Sequence, residues 1–247
     1  MPQFYLPGPW ETQKPTPLNS EVVHHLRVRR IEAGETFPVF DGQGQVASAK
    51  LLSLGKKNGE VELSAIQTDT HRETPYAITL VQALAGGDKM DWIVEKAVET
   101  GVQRIVPLQC ERSVMKLNRS SDAERAQKRL SHWHAIIQAA CEQCDRTVLA
   151  NLEPIQNFAD FLKAPTASLK LLLSPDATVS MVSVLAQNPP QDVILMIGPE
   201  GGHSPEEEAI AQAAGYQIVS LGKRILRTET AGIVAITAVN TVWSPDS

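Results

Sequence analysis

Val193-Ile194-Leu195-Met196-Ile197-Gly198-Pro199-Glu200-Gly201-Gly202 is an unbroken apolar run that stops on a glycine-rich loop. An apolar run this short, closed by glycine, reads as a strand buried on both faces, as in a parallel sheet. Ser204-Pro205-Glu206-Glu207 then reads as a helix start, with Ser204 as N-cap, Pro205 in the first turn and Glu207 closing a capping box. Farther on the same order returns. Ile218-Val219-Ser220-Leu221 is a strand, Gly222-Lys223-Arg224-Ile225-Leu226-Arg227 a loop, and Thr228-Glu229-Thr230 the polar opening of an apolar helix beginning at Ala231. Two strand-to-helix loops bearing glycine, one α/β unit apart, are where open parallel sheets bind ligands.

The first loop invites a backbone argument. Glycines at 198, 201 and 202 allow positive φ and close approach to a ligand, and Pro199 stiffens the turn. It does not read as a phosphate cradle: Glu206, Glu207 and Glu208 already satisfy the helix dipole and repel an anion. There is no Gly-Lys-Ser/Thr and no Gly-x-Gly-x-x-Gly, which argues against nucleoside triphosphates and NAD. A neutral or cationic ligand held by backbone groups fits better.

Working outward, residues 77–84, 104–108 and 169–173 are further strands. Asp88 caps a helix carrying Met90, Ile93, Val94, Ala97 and Val98 on one face, and Gly101 stops it. Ser121-Asp122-Ala123-Glu124 is a capping box opening a helix to about Cys144. Strand–helix alternation of this kind predicts a parallel sheet with helices on both faces. Residues 67–75 are polar and read as a linker. Residues 1–70 read as a small β-rich domain: a strand at 4–6, a proline-rich loop through Pro17, a helix over 21–30 capped by Ser20, and strands at 36–41, 46–54 and 61–66. Asp41-Gly42-Gln43-Gly44 is the expected hairpin turn.

The net charge of −5 comes from the C-terminal third: residues 151–247 carry 5 basic and 10 acidic groups, against 8 and 9 in residues 1–75 and 10 and 9 in residues 76–150. Positive charge is concentrated in His24-His25-Leu26-Arg27-Val28-Arg29-Arg30, and in Arg112, Lys116, Arg119, Arg125, Lys128 and Arg129. Such clusters matter more to a polyanion than the total does, although each also suits a plain solvated face. Three cysteines point to a reducing cytoplasm rather than a disulfide framework. Cys141-x-x-Cys144 falls late in a helix, away from the N-terminal position that activates a redox pair, and His132, His134 and His203 show no metal spacing. No metal site is expected. No apolar run reaches the ~20 residues of a membrane helix, and the N-terminus shows no signal-peptide pattern.

Gly198-Pro199-Glu200-Gly201-Gly202 followed by Leu221-Gly222-x-Arg224-Ile225-Leu226-Arg227-x-Glu229-Thr230-Ala231 resembles the SPOUT RNA methyltransferases, and among them the RsmE type, which methylates N3 of a uridine in small-subunit ribosomal RNA. Glu111-Arg112-Ser113 and Glu142-Gln143-x-x-Arg146 resemble RsmE features as well. The resemblance implies an α/β fold: a C-terminal SPOUT-type parallel sheet with a trefoil-knotted C-terminus over residues 73–247, and a small N-terminal PUA-like β-barrel for RNA binding over residues 1–72. It implies a homodimer acting on 16S rRNA within the small ribosomal subunit, with no membrane and no metal. It implies S-adenosyl-L-methionine as methyl donor, bound by Leu173, Ile197, Gly198, Pro199, Glu200, Gly201, Gly202, Leu221, Gly222, Ile225, Leu226, Thr230 and Ala231.

RNA contacts fall to His25, Arg27, Arg30, Arg112 and Lys116. His25, Leu26 and Arg30 match a His-Leu-x-x-x-Arg pattern, but Arg29 stands where leucine is usual and Gln3 where arginine is usual. For the chemistry, Arg227 is the expected catalytic cation, its guanidinium donating to a uracil carbonyl; a phosphate contact or an ion pair with Glu229 is the competing role. Glu229 or Glu200 would accept the N3 proton, although ordinary carboxylates are weak bases for it. A methyltransferase acting on another RNA such as tRNA, and a non-catalytic RNA-binding assembly factor, remain alternatives.

Overall fold

In the computed structural model, which describes residues 3–12, 14–116, 122–164 and 168–244, the chain divides into two units. The first comprises residues 1–73 and 138–149, the second residues 74–137 and 150–247.

The first unit contains β1 (Phe4–Tyr5), β2 (Pro15–Leu18), α1 (Ser20–Val28), β3 (Thr36–Phe40), β4 (Gln45–Leu54) and β5 (Gly59–Thr68). They form one sheet, ordered β1-β3-β4-β5-β2 and curled into a half-barrel. Alternate residues Ala47, Ala49 and Leu51 of β4 and Val61 and Leu63 of β5 turn inward, and α1 covers them with Val22, Val23 and Leu26. The proline-rich segment is a strand after all. Pro15 and Pro17 pair antiparallel with β5 at the sheet's edge, where the missing N–H donors cost nothing. The helix cap is Asn19 rather than Ser20, because the Asn19 Oδ1 accepts from the N–H groups of both Glu21 (3.0 Å) and Val22 (2.9 Å).

Helix α1 also ends earlier than its charge run suggests. Arg30 adopts φ 57°, its N–H donates to the Arg27 carbonyl and that of Ile31 to the Leu26 carbonyl, each at 3.0 Å. This is a Schellman ending, sealed by the buried pair Leu26 and Ile31. In the Asp41–Gly44 turn, Asp41 Oδ1 accepts from the N–H groups of Gln43 and Gln45. The polar stretch at 67–75 is not slack: Glu73 makes a bidentate ion pair with Arg146, which is only 3 % exposed.

The second unit contains β6 (Ile78–Ala83), α2 (Lys89–Glu99), β7 (Arg104–Gln109), α3 (Asp122–Cys144, whose residues from 138 belong to the first unit), β8 (Asn151–Leu152), β9 (Gln156–Asn157), α4 (Phe158–Phe161), β10 (Leu169–Leu173), α5 (Met181–Gln187), β11 (Val193–Ile197), α6 (Pro205–Ala213), β12 (Gln217–Val219) and α7 (Thr228–Trp243). The sheet runs β12-β10-β11-β6-β7-β8, with β9 also on β7, and every pairing is parallel. Strands β6 and β11 are buried along their whole length; β11 therefore reads as an unbroken apolar run, while β6 buries Thr79 and Gln82 within its run.

Register positions the site. Leu173 pairs with both Ile197 and Val219, so β10, β11 and β12 end level and their following loops emerge together. Helix α7 reaches the sheet through Gly232, where an added Cβ would stand 3.3 Å from Leu80 Cδ1. Gly101, at φ 94°, stops α2 as expected, while Asp88 occupies the cap position without a side-chain bond. The capping box of Ser204 and Glu207 is present. That of Ser121, and Arg119, lie outside the described residues. Among the described residues no helix is long and apolar enough to cross a membrane.

Candidate active site

A cavity of ~350 Å³ opens at the level ends of β10, β11 and β12, a size suited to a small organic ligand. Its apolar walls are Leu173, Ile197, Leu221, Ile225 and Leu226, with Gly198, Pro199, Gly202 and Ala231 contributing backbone surface. Glu200, Arg227 and Glu229 supply charge. Of the residues expected around a cofactor, Gly201, Gly222 and Thr230 stand off the lining. Lys89, Ser174, Pro175, Val219, Arg224 and Thr228 line it without having been anticipated. Lys89 enters from the first turn of α2, more than a hundred residues before Gly198 in sequence, and no motif signals it.

The glycines divide their roles differently from the sequence expectation. Positive φ occurs at Gly202 (69°) and Gly222 (112°), not at Gly198 or Gly201. Close packing is the duty of Gly198, where a Cβ would lie 3.1 Å from the His203 nitrogen and 3.3 Å from the Gly202 carbonyl carbon. At Gly201 an added Cβ would meet Arg112 at an ordinary 3.5 Å.

The first loop is braced from three sides. The buried Thr228 Oγ1 donates to the Gly198 carbonyl (2.7 Å) and accepts from Gln82 Nε2 (2.9 Å). Glu200 Oε1 accepts from the Gly86 N–H (3.0 Å) and from Lys89 Nζ (2.8 Å). Partial burial pushes the Glu200 carboxyl up, but the Lys89 hydrogen bond and the Gly86 N–H outweigh it and hold the group below its usual value. Glu200 is therefore a poor proton acceptor. Arg112 Nη1 donates to the carbonyls of Gly201 (2.9 Å) and His203 (3.4 Å). Its guanidinium, expected on RNA, is engaged with this loop.

Arg227 and Glu229 are differently placed. The Arg227 side chain is 83 % exposed, and its Nη1 lies 3.9 Å from Glu229 Oε1, beyond hydrogen-bond range. Glu229 is mostly buried, and its Oε2 has no hydrogen-bond partner. An unpartnered carboxylate oxygen beside apolar walls, together with the close-packed Gly198 turn, suits an organic cation such as a sulfonium bearing an ammonium.

In the first unit, His25 is half-exposed, with Nδ1 3.6 Å from Glu142 Oε2, and Arg27 and Arg30 are exposed. Arg29 is exposed too, whereas Leu26 is core. Gln3 is buried and donates from Nε2 to the carbonyls of Arg146 (2.7 Å) and Cys141 (3.3 Å), so this position serves the interior of its unit. In the second unit Lys116 is exposed, and Arg125, Lys128, Arg129 and His132 line a separate groove on α3. None of the three cysteines forms a disulfide. Cys110, His203 and Glu207 converge, all buried, with ligand atoms within 4.8 Å of one another, a cluster that the spacing of the histidines did not anticipate. Spacing along the chain hid this because Cys110 lies more than ninety residues before His203 and Glu207.

Residues 72–240 match the model of an RNA methyltransferase domain, and residues 18–64 that of an RNA methyltransferase PUA domain. The ribosomal RNA small subunit methyltransferase E of Synechocystis sp. is 33 % identical over 90 % of this chain and 72 % of its own length. That of Bacillus subtilis is 30 % identical over 90 % of this chain and 88 % of its own. The chain belongs to the ribosomal RNA small subunit methyltransferase E family. The crystal structure of the Neisseria gonorrhoeae member bound to S-adenosyl methionine superposes on this methyltransferase with a TM-score of 0.90 and 38 % identity, over all of both chains.

Proposed function

We propose that this methyltransferase transfers a methyl group from S-adenosyl-L-methionine to N3 of a uridine in 16S rRNA, within the small ribosomal subunit, in the cytoplasm. The observation that carries the reading is the cavity's composition: apolar walls and a Glu229 oxygen without a hydrogen bond inside, an exposed Arg227 at the rim. Leu173, Ile197, Leu221, Ile225 and Leu226 would hold the adenosine and methionine carbons, and Glu229 would face the cationic groups. Bound there, the cofactor supplies a methyl already activated by its sulfonium.

What remains for the protein is alignment and charge control. Uracil N3 is nucleophilic only once its proton has left. Arg227 donates to a uracil carbonyl oxygen and stabilises the imide anion. Glu229, rather than the clamped Glu200, accepts the proton directly or through water. The N3–CH₃ bond forms as the S–CH₃ bond breaks, leaving methyluridine, S-adenosylhomocysteine and a proton.

We assign residues 1–72 to RNA binding and 73–247 to catalysis. Half-exposed His25 and exposed Arg27, Arg30 and Lys116 serve the phosphate backbone. The enzyme acts as a homodimer: α2, α5 and α7 pack together and each leaves an apolar side chain exposed, Trp92, Val182 and Val234. The C-terminal segment is read as trefoil-knotted, since the chain leaves β12 at the sheet's outer edge and returns to seat Thr228 under Gly198. A crystallographic trace that closes to an unknotted line would refute this.

The test of function is methylation of small subunits and of tRNA, each from a strain lacking the enzyme, followed by mass mapping. One methyl on N3 of a 16S uridine is expected. Label in tRNA, or on another atom, would transfer the enzyme to a different target. Calorimetry showing no S-adenosylmethionine binding would make it an assembly factor.

A further inference from the structure

Behind the cofactor loop lies a polar cluster that the methyl-transfer reading does not use. Cys110 follows β7, His203 ends the glycine loop after β11, and Glu207 sits in the first turn of α6. All three are buried, and one ligand atom from each lies within 4.8 Å of the others. The His203 side chain is 1 % exposed, yet neither ring nitrogen has a hydrogen-bond partner. Buried polar groups are almost always paired, and this imidazole meets the Glu207 carboxylate only at ion-pair distance, a gap that an ion between them would close. One nitrogen, Nδ1, is 3.6 Å from Glu207 Oε2. Two ligands each about 2.1 Å from one tetrahedral metal ion stand roughly that far apart.

We propose that Cys110, His203 and Glu207 form a structural site for a divalent transition metal of the zinc class. Thiolate, imidazole and carboxylate are together a borderline-soft donor set, which suits Zn²⁺ or Co²⁺ and disfavours Mg²⁺ and Ca²⁺. Backbone amides orient the Glu207 carboxylate. Its Oε1 accepts from the Glu111 N–H (2.8 Å) and its Oε2 from the Ser204 N–H (3.0 Å), leaving further lone pairs on each oxygen. In the metal-free protein, burial and the Glu207 charge raise the Cys110 thiol well above its usual value. Metal binding exchanges the S–H bond for an S–metal bond, and the proton passes to solvent. The charges then balance, one dication against a thiolate and a carboxylate. The metal would tie the loop after β7 to the cofactor loop without touching the methyl group, so the site is structural rather than catalytic.

The experiment uses the full chain, stripped with a chelator and titrated with Zn²⁺ or Co²⁺ alone. One Co²⁺ per chain is expected, with a thiolate-to-cobalt charge-transfer band and release of a proton. Zn²⁺ should compete the band away and raise the melting temperature. Cys110→Ser, which keeps volume and fold, should abolish the band, and His203→Leu should do the same. Cys144→Ser should leave it unchanged. A folded wild-type chain that gives no thiolate band, or a band that survives Cys110→Ser and disappears with Cys144→Ser, overturns the site.

Discussion

The two loops that enclose the cavity are built on opposite plans. Residues 198–203 are clamped: Thr228 holds the Gly198 carbonyl, Lys89 and Gly86 hold Glu200, and Arg112 holds the carbonyls of Gly201 and His203. Residues 221–227 make no comparable side-chain bonds among the described residues, and they leave Ile225 83 % exposed and Arg227 equally so. A loop that must fit one small ligand gains from rigidity, because ordering is completed before the ligand arrives. A loop that presents side chains outward is suited to a partner that arrives later and is much larger. We propose from this contrast that the first loop recognises the cofactor and the second contacts the substrate.

The largest effect that sharpens this contrast lies in the exposed loop. Arg227→Ala should lower turnover by roughly 10² or more while S-adenosylmethionine affinity, read by calorimetry, stays near wild type. Raising the pH should partly restore its rate if deprotonation of N3 limits it. Normal turnover at saturating RNA would make Arg227 a binding residue only. In the clamped loop the pattern should reverse. Gly198→Val drives a side chain into the His203 amide and should cost ~1–3 kcal/mol of cofactor affinity, roughly fivefold to 150-fold. Full-strength binding by the folded variant would free this loop from the site.

Thr228→Val tests the clamp itself. It removes the hydroxyl shared by Gln82 and Gly198 and should destabilise the protein by ~1–2 kcal/mol in chemical denaturation; an unchanged midpoint would show that the clamp is idle. The smallest effect belongs to Glu200. Because its folded-state carboxyl is held low, its contribution is complete above the ordinary carboxylate value and is lost as pH falls through the lower folded value. Glu200→Gln should flatten the stability profile in that acidic window alone, and an acid limb identical to wild type would mean that the Lys89 contact contributes nothing.

Much of this was legible in the chain. Periodicity gave the strands and most helices of the second unit, since β11 is buried throughout and reads as an apolar run, and β6 as a mainly apolar one. It misjudged Pro15 and Pro17 because proline signals a loop except at a sheet edge, and an edge exists only once the sheet is assembled. The motifs placed Leu173, Ile197, Leu221, Ile225 and Leu226 on one cavity. They could not supply Lys89 or the interior role of Gln3, which depend on contacts between distant segments.

By itself, then, the sequence determined which residues are apolar, where glycines and capping boxes interrupt them, and which two loops carry the family's signature. Local preference and burial act on neighbours along the chain, so such features are written in order. Only the tertiary structure decided that Gly198 rather than Gly201 is the tight position, that Arg112 braces a loop, and that Cys110, His203 and Glu207 meet. Those outcomes depend on parallel register, which brings the ends of β10, β11 and β12 level and sets distant residues side by side.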